Sequence, residues 1–204
     1  NDTVFTHAKL VNHATIMFLE SEPTLSDLVV KLAKLTNASV KHSMMVSLVS
    51  AMIGQGHDWI KPATLEKLAL GGFLHDIGKT KLPPEIAGKA VERMTHDERI
   101  IYQSHPEVGR QLLAALKTVP DDVLLIVYEH HELCDGSGFP RGLRDYQTSP
   151  LARVVSLANA FCSLITALPG GPSVHSAARA LEELEFQRSG QFNREAVKAL
   201  RKMI

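Results

Sequence analysis

Phe73-Leu74-His75-Asp76-Ile77-Gly78-Lys79 is the stretch on which the reading of this chain turns. An imidazole and a carboxylate stand side by side where an apolar helical run, Leu65 to Leu74, gives way toward a glycine. Each of the two side chains can offer a lone pair to a cation. Taken alone, the pair is explained equally well by a hydrogen bond at a helix end. It gains meaning from His42 upstream, His105 downstream and a second adjacent pair, His130-His131, at intervals of about 25 to 35 residues. Such intervals suit successive helices of a bundle converging on one point, as in metal sites built in helical cores. The set offers nitrogen and oxygen ligands and no thiolate, which favours Fe, Mn or Zn over an iron–sulfur cluster.

Outward from that stretch, the apolar spacing is helical almost throughout. Phe5 to Glu20 and Leu25 to Leu35 read as helices separated by Pro23-Thr24, with Thr24 or Ser26 as cap. A third runs from about Asn37 to Ile53, with Val40, Met44, Leu48 and Met52 one turn apart, and ends at Gly54-Gln55-Gly56. Pro83-Pro84 excludes continuation of a helix. Thr95 with Glu98 forms a capping box opening a helix toward Tyr102. His105-Pro106 marks a break before a helix from Glu107 to Leu116, and Asp121 or Asp122 caps the helix from Val123 to His131. A glycine-rich loop, Cys134 to Thr148, leads to a helix over Leu151–Leu168 and a final helical stretch from about Ser176. No alternating run makes a sheet, so the predicted fold is all-α.

Composition permits this reading without demanding it. At 204 residues the chain suits one domain with a small appendage. Lys plus Arg balances Asp plus Glu at 22 each, so no global field recruits a nucleic acid polymer or an anionic membrane. A phosphate-bearing ligand must therefore be held locally. Ten histidines are the one compositional excess. Cys134 and Cys162 are too few for a disulfide framework, and reduced thiols in a cytoplasmic protein are the expectation. Val154 to Leu168 is interrupted by Ser156, Asn159 and Ser163 and is too short to span a bilayer. No signal peptide is visible, and a start at Asn1 reads as a fragment with an upstream segment missing.

Further motifs follow in order: Gln103-Ser104-His105-Pro106-Glu107-Val108-Gly109, then His130-His131-Glu132, then Asp135-Gly136-Ser137-Gly138-Phe139-Pro140. Together with His75-Asp76-Ile77-Gly78-Lys79 they resemble the HD-GYP family, metal phosphohydrolases that cleave cyclic di-GMP. The resemblance covers about residues 36 to 200. It implies an HD-domain bundle at 36–204, with residues 1–35 a helical remnant of an upstream regulatory domain. By matching position, His42, His75, Asp76, His105, His130 and His131 become metal ligands with Asp76 as the bridge, and Asn159 stands adjacent as a further metal position. Two divalent metals are implied, Fe first, with Mn or Zn as alternatives. Lys79 contacts the phosphate or protonates the leaving oxygen, and Gly136, Gly138, Phe139, Pro140 and Arg141 shape the substrate pocket. The expected partners are cyclic di-GMP or a related cyclic dinucleotide, signalling proteins such as diguanylate cyclases, and a second copy in a homodimer.

The chemistry accounts for the residue types. A phosphodiester repels hydroxide and has a poor leaving alkoxide, and two cations a few Å apart offset both problems. Each ligand also has a plainer account. His42 could be a satisfied core histidine, Lys79 a solvated lysine suited to a helix C-terminus, and loop 135–140 an ordinary turn. His7, His13, His57, His96 and His175 match no motif and read as structural.

Departures from the family pattern are informative. Phe139 keeps the ring of Gly-Tyr-Pro and loses the hydroxyl. Asn159 stands where members carry Asp, so it offers a carbonyl oxygen without charge. Ala38, one turn before His42, replaces the Glu of three-metal members. Leu168-Pro169-Gly170-Gly171-Pro172 replaces an arginine-rich segment. The resemblance therefore implies a weak or divergent cyclic di-GMP phosphodiesterase. The alternative is a degenerate HD-GYP protein serving as a cyclic-dinucleotide sensor or interaction module.

Overall fold

The computed structural model describes residues 38–57, 60–166 and 174–204. The helices expected over Phe5–Glu20 and Leu25–Leu35, the segment 1–35 and the stretch Leu168 to Pro172 lie outside the described residues. Among the described residues the architecture is all-α, with no strand and one isolated bridge, Asp135 to Arg144. The elements are α1 (Ala38–Gln55), α2 (Pro62–Leu74), α3 (Pro84–Ala87), α4 (His96–Gln103), α5 (His105–Ala114), α6 (Asp121–Glu129), α7 (Pro150–Ile165), α8 (Ala177–Glu182) and α9 (Arg194–Arg201).

Helix α1 packs on α2 and α7, α2 also packs on α6, and α5 lies between α6 and the 3-10 turn Ile77–Lys81. The main core joins Val46 and Ile53 of α1, Leu68 of α2, Ile126 of α6, and Leu157 and Phe161 of α7. It continues to Leu184 and Leu200 near the C-terminus. A second cluster, Leu70, Leu74, Leu113, Val123 and Val127, sits between α2, α5 and α6. A third, Ile86, Met94 and Tyr102 with Phe139 against it, lies under the loop. Burying side chains such as Phe161 and Leu157 contributes about 1.5–3 kcal/mol each, which holds the helix ends in fixed register.

Several boundaries follow local chemistry. Thr95 and Glu98 make the expected capping box, and Ser176 caps α8 through the Arg179 amide. Helix α5 begins at His105 itself, with Pro106 inside its first turn, where a missing N–H costs nothing. The expectation that Asp121 or Asp122 caps α6 is corrected. Pro120 takes the cap position, and both aspartates lie in the first turn, where their charge suits the helix dipole. The final helical stretch is broken. A π-turn at Glu183–Gln187 follows α8, and α9 starts anew from Asn193, whose side chain accepts from the Glu195 and Ala196 amides. Both cysteines are free; Cys162 is buried in the core.

Candidate metal centre

Three helix termini and a 3-10 turn meet beside His42 of α1, whose ring centroid lies 5.4 Å from that of His75. His75 follows directly on α2, His105 opens α5, and His130-His131 follow α6. Asp76 opens the 3-10 turn that carries Gly78 and Lys79. A side chain on Gly78 would overlap the His105 carbonyl oxygen, so only glycine lets the His-Asp turn press against the start of α5. That contact brings His75-Asp76 and His105 to one place.

The same local device orients three of the histidines. The Nδ1 of His75 lies 2.7 Å from the Gly72 carbonyl oxygen, that of His105 2.7 Å from Tyr102 O, and that of His130 2.8 Å from Val127 O. A carbonyl can only accept, so each Nδ1 carries the proton and each Nε2 presents a bare lone pair inward. The partner is always the residue three before, in the last helical turn. All three rings are buried, and around them the two oxygens of Asp76 divide. Oδ1 lies 3.3 Å from His105 Nε2 and 3.7 Å from His130 Nε2, whereas Oδ2 lies 3.3 Å from His75 Nε2 and 2.7 Å from Lys79 Nζ.

This arrangement is unsatisfied on its own. His75 Nε2, Asp76 Oδ1, His131 Nε2 and His42 Nδ1 are buried with no hydrogen-bond partner. The Nε2 lone pairs of His105 and His130 face each other at 3.3 Å. Buried acceptors are costly unless paired, and acceptor facing acceptor calls for a cation between them. Two groups of ligand atoms gather within 4.8 Å: Asp76, His105, His130 and His131, and again His42, His75 and Asp76. The residues fit divalent metal, with Asp76 common to both groups.

Electrostatics supports neutral imidazoles and an ionised carboxylate, the forms that bind cations. Burial pushes His42 down to about 4 and His130 down to about 3. Burial lowers His105, and burial with the neighbouring His130 lowers His131 well below the ordinary value. Burial opposes ionisation of Asp76, but His75 and the Lys79 ammonium outweigh it and hold the carboxyl well below its usual range. Burial likewise disfavours the Lys79 charge, and Asp76 outweighs it and raises the ammonium.

The remaining sequence-predicted residues fall around this cluster. Asn159, on α7, presents Oδ1 2.9 Å from His42 Nε2. Lys79 also lies over the Tyr102 ring at 5.0 Å. Phe139 stacks on His131 with ring centroids 4.3 Å apart, and the Phe139-Pro140 peptide is cis. Gly138 passes so close to the His131-Glu132-Leu133 backbone that a side chain would overlap it. Gly136 adopts φ +82° near Arg144. The Arg141 guanidinium is held by Glu129 at 2.5 Å and lies 5.1 Å from the Tyr128 ring, so its charge is directed to the base of the loop.

Sequence reasoning missed two residues that build the site's outer wall. Glu129 and Glu132 flank the His130-His131 pair and are both buried. Glu132 accepts from the Arg141 and Leu143 amides at 2.7 Å each, and Glu129 accepts from the Ser149 amide at 2.7 Å as well as from Arg141. The signal was the charge pattern Glu129-His130-His131-Glu132, which put carboxylates where an exposed helix end gains nothing from them.

Comparisons with known proteins agree with this geometry. Residues 23–196 match the HD-domain family. The chain is 31% identical over 159 residues to the cyclic di-GMP phosphodiesterase response regulator RpfG of Xanthomonas campestris pv. campestris, covering 78% of this chain and 40% of that protein. It is 31% identical over 158 residues to the cyclic di-GMP phosphodiesterase PA4108 of Pseudomonas aeruginosa, covering 76% and 38%. The chain thus spans two fifths or less of these curated relatives. Among solved structures, Bd1817, a HDG"Y"P protein from Bdellovibrio bacteriovorus, superposes with a TM-score of 0.79 at 26% identity, over 99% of this chain and 64% of that one. Matched along most of its length and sharing this bundle, the chain belongs to the HD-domain family, in its HD-GYP branch.

Proposed function

We propose that this chain is a metal-dependent phosphodiesterase that opens a cyclic dinucleotide, cyclic di-GMP before others, to its linear form. The observation that carries the reading is the cluster of inward lone pairs on His75, His105 and His130, with the unpartnered Nε2 of His131, around the two oxygens of Asp76. Divalent cations, Fe in this reading with Mn or Zn as alternatives, would supply Lewis acidity at a phosphoryl oxygen and lower the pKa of an attacking water. Neutral imidazoles would leave that acidity undiminished, and the anionic Asp76 would be a ligand common to both groups. Lys79 stands at the rim, 2.7 Å from Asp76, where its ammonium can hold a phosphoryl oxygen or give a proton to the departing ribose oxygen. The loop 136–141, fixed by Glu129 and Glu132, walls the approach.

The grip on substrate is thin in this reading. Phe139 lacks a hydroxyl, and Arg141 is engaged by Glu129. A lost charge-assisted contact to phosphate costs about 1.5–3 kcal/mol, or roughly ten- to hundredfold in affinity. One observation favours a second reading, a sensor that binds without cleaving: Asn159 engages His42 in a hydrogen bond and adds no charge to the centre.

A panel of cyclic dinucleotides, assayed anaerobically with Fe(II) or Mn(II) supplied, decides between them. We expect slow conversion of cyclic di-GMP to the linear dinucleotide, with a high KM and relatively better cleavage of bis(p-nitrophenyl) phosphate. No turnover of either substrate by fully metallated protein, with cyclic di-GMP still bound, would support the sensor.

A further inference from the structure

We infer that the centre divides into two cation subsites of unequal grip: a tight one at Asp76 Oδ1 with His105, His130 and His131, and a weak one at Asp76 Oδ2 with His42 and His75. The inference rests on the metal reading of the site and on no particular substrate.

The tight subsite needs no rearrangement. Asp76 Oδ1 and His131 Nε2 have no hydrogen-bond partner to give up. The Nε2 atoms of His105 and His130 are already bare, because their Nδ1 protons are committed to Tyr102 O and Val127 O. A cation entering there relieves the 3.3 Å opposition of two lone pairs. Ligands oriented in advance lose little freedom on binding.

The weak subsite differs at each ligand except His75. Asp76 Oδ2 already accepts from the Lys79 ammonium at 2.7 Å, so a positive charge occupies the oxygen's free side. His42 Nε2 faces the Asn159 amide oxygen at 2.9 Å, an acceptor, which places the ring proton on Nε2. A cation taking Nε2 must break that bond, and the one bare lone pair left on the ring is at Nδ1, which is buried without a partner. Asn159 returns no negative charge. Both subsites also share the single charge of Asp76, so the first cation repels the second. Lys79 acts here as a built-in competitor, a monovalent stand-in beside the second position.

Calorimetric titration of the chelator-stripped protein with Mn(II), with bound metal counted by elemental analysis, reads this directly. The expected isotherm has two steps, one equivalent tight and a second at least about tenfold weaker. His42→Ala should remove the second step and keep the first, while His131→Gln should weaken the first. Asn159→Asp and, independently, Lys79→Met should each narrow the gap between the steps by roughly tenfold. Lys79 is a quarter exposed, so its variant tests the point even where a buried aspartate disturbs folding. Two equivalents of equal affinity in the unaltered protein, an unchanged gap in both variants, or no bound Mn would overturn the inference. Its failure is separable from that of the phosphodiesterase reading. Turnover by a protein that fills both subsites together would remove only the inference, and two-step filling without turnover only the enzymatic reading.

Discussion

At the scale of the residue, Asp76 is the side chain that no neighbour can replace. Its Oδ1 serves the His105 and His130 side and its Oδ2 the His75 side, so it alone belongs to both ligand groups. Asp76→Ala should lower metal affinity more than any single histidine substitution, by ~100-fold or more, the upper end of what even supporting residues of a metal site cost. Metal content after reconstitution and desalting checks this; retention of wild-type metal by the variant would remove Asp76 from the centre. The clustering of these histidines with Asp76 was legible in the sequence because imidazoles and carboxylates at helix ends are few and their spacing is distinctive. Glu129 and Glu132 were not, because a glutamate beside a helix end ordinarily reads as solvated. Their partners, the amides of Arg141, Leu143 and Ser149, lie 9 to 20 residues away along a loop whose course no local pattern predicts.

At the scale of the element, the loop from Cys134 to Thr148 is held as a cover rather than left as a turn. Two buried carboxylates fasten it, and Phe139 seats its ring on His131. Glu132→Gln would turn an amide N–H₂ toward a loop N–H that has lost its acceptor. The expected cost is about 1–3 kcal/mol in urea unfolding, together with weaker metal binding through His131. Unchanged stability and unchanged metal affinity would mean that the loop does not support the centre. Among the elements, the Thr95–Glu98 box was legible because capping is local chemistry. The π-turn after α8 was not, since it is decided by how Leu184 and Phe192 settle into a core assembled from distant helices. The arrest of α2 before His75-Asp76 was legible; that Gly78 allows the turn to touch α5 became visible only in the packed molecule.

At the scale of the whole molecule, the fold keeps several imidazoles neutral in its interior, and stability should report it. His42 and His130 have folded values of about 4 and about 3, against an ordinary 6.5. As pH falls below 6.5, the unfolded chain takes up protons that the folded one refuses, so stability drops down to the folded values, by about 1.4 kcal/mol per pH unit for each histidine. The urea midpoint of metal-free protein should therefore be lower at pH 5 than at pH 7, and bound metal should leave over the same interval. An equal or higher midpoint at pH 5 would show that these rings are charged or exposed when folded.

The all-α bundle itself was legible from apolar periodicity. What periodicity could not supply was the depth of α1, where Ser47 and Ser50 are as buried as Val46 and Val49. Everything proposed for this molecule depends on one claim, that its buried histidines and Asp76 hold metal at a common point. An anomalous difference map of Mn(II)-reconstituted crystals, collected at the manganese edge, tests it most directly. The account predicts a strong peak between Asp76 Oδ1 and the Nε2 atoms of His105, His130 and His131, with a weaker second peak toward His42 and His75. Absence of any peak within this cluster, in crystals soaked at saturating Mn(II), would contradict it.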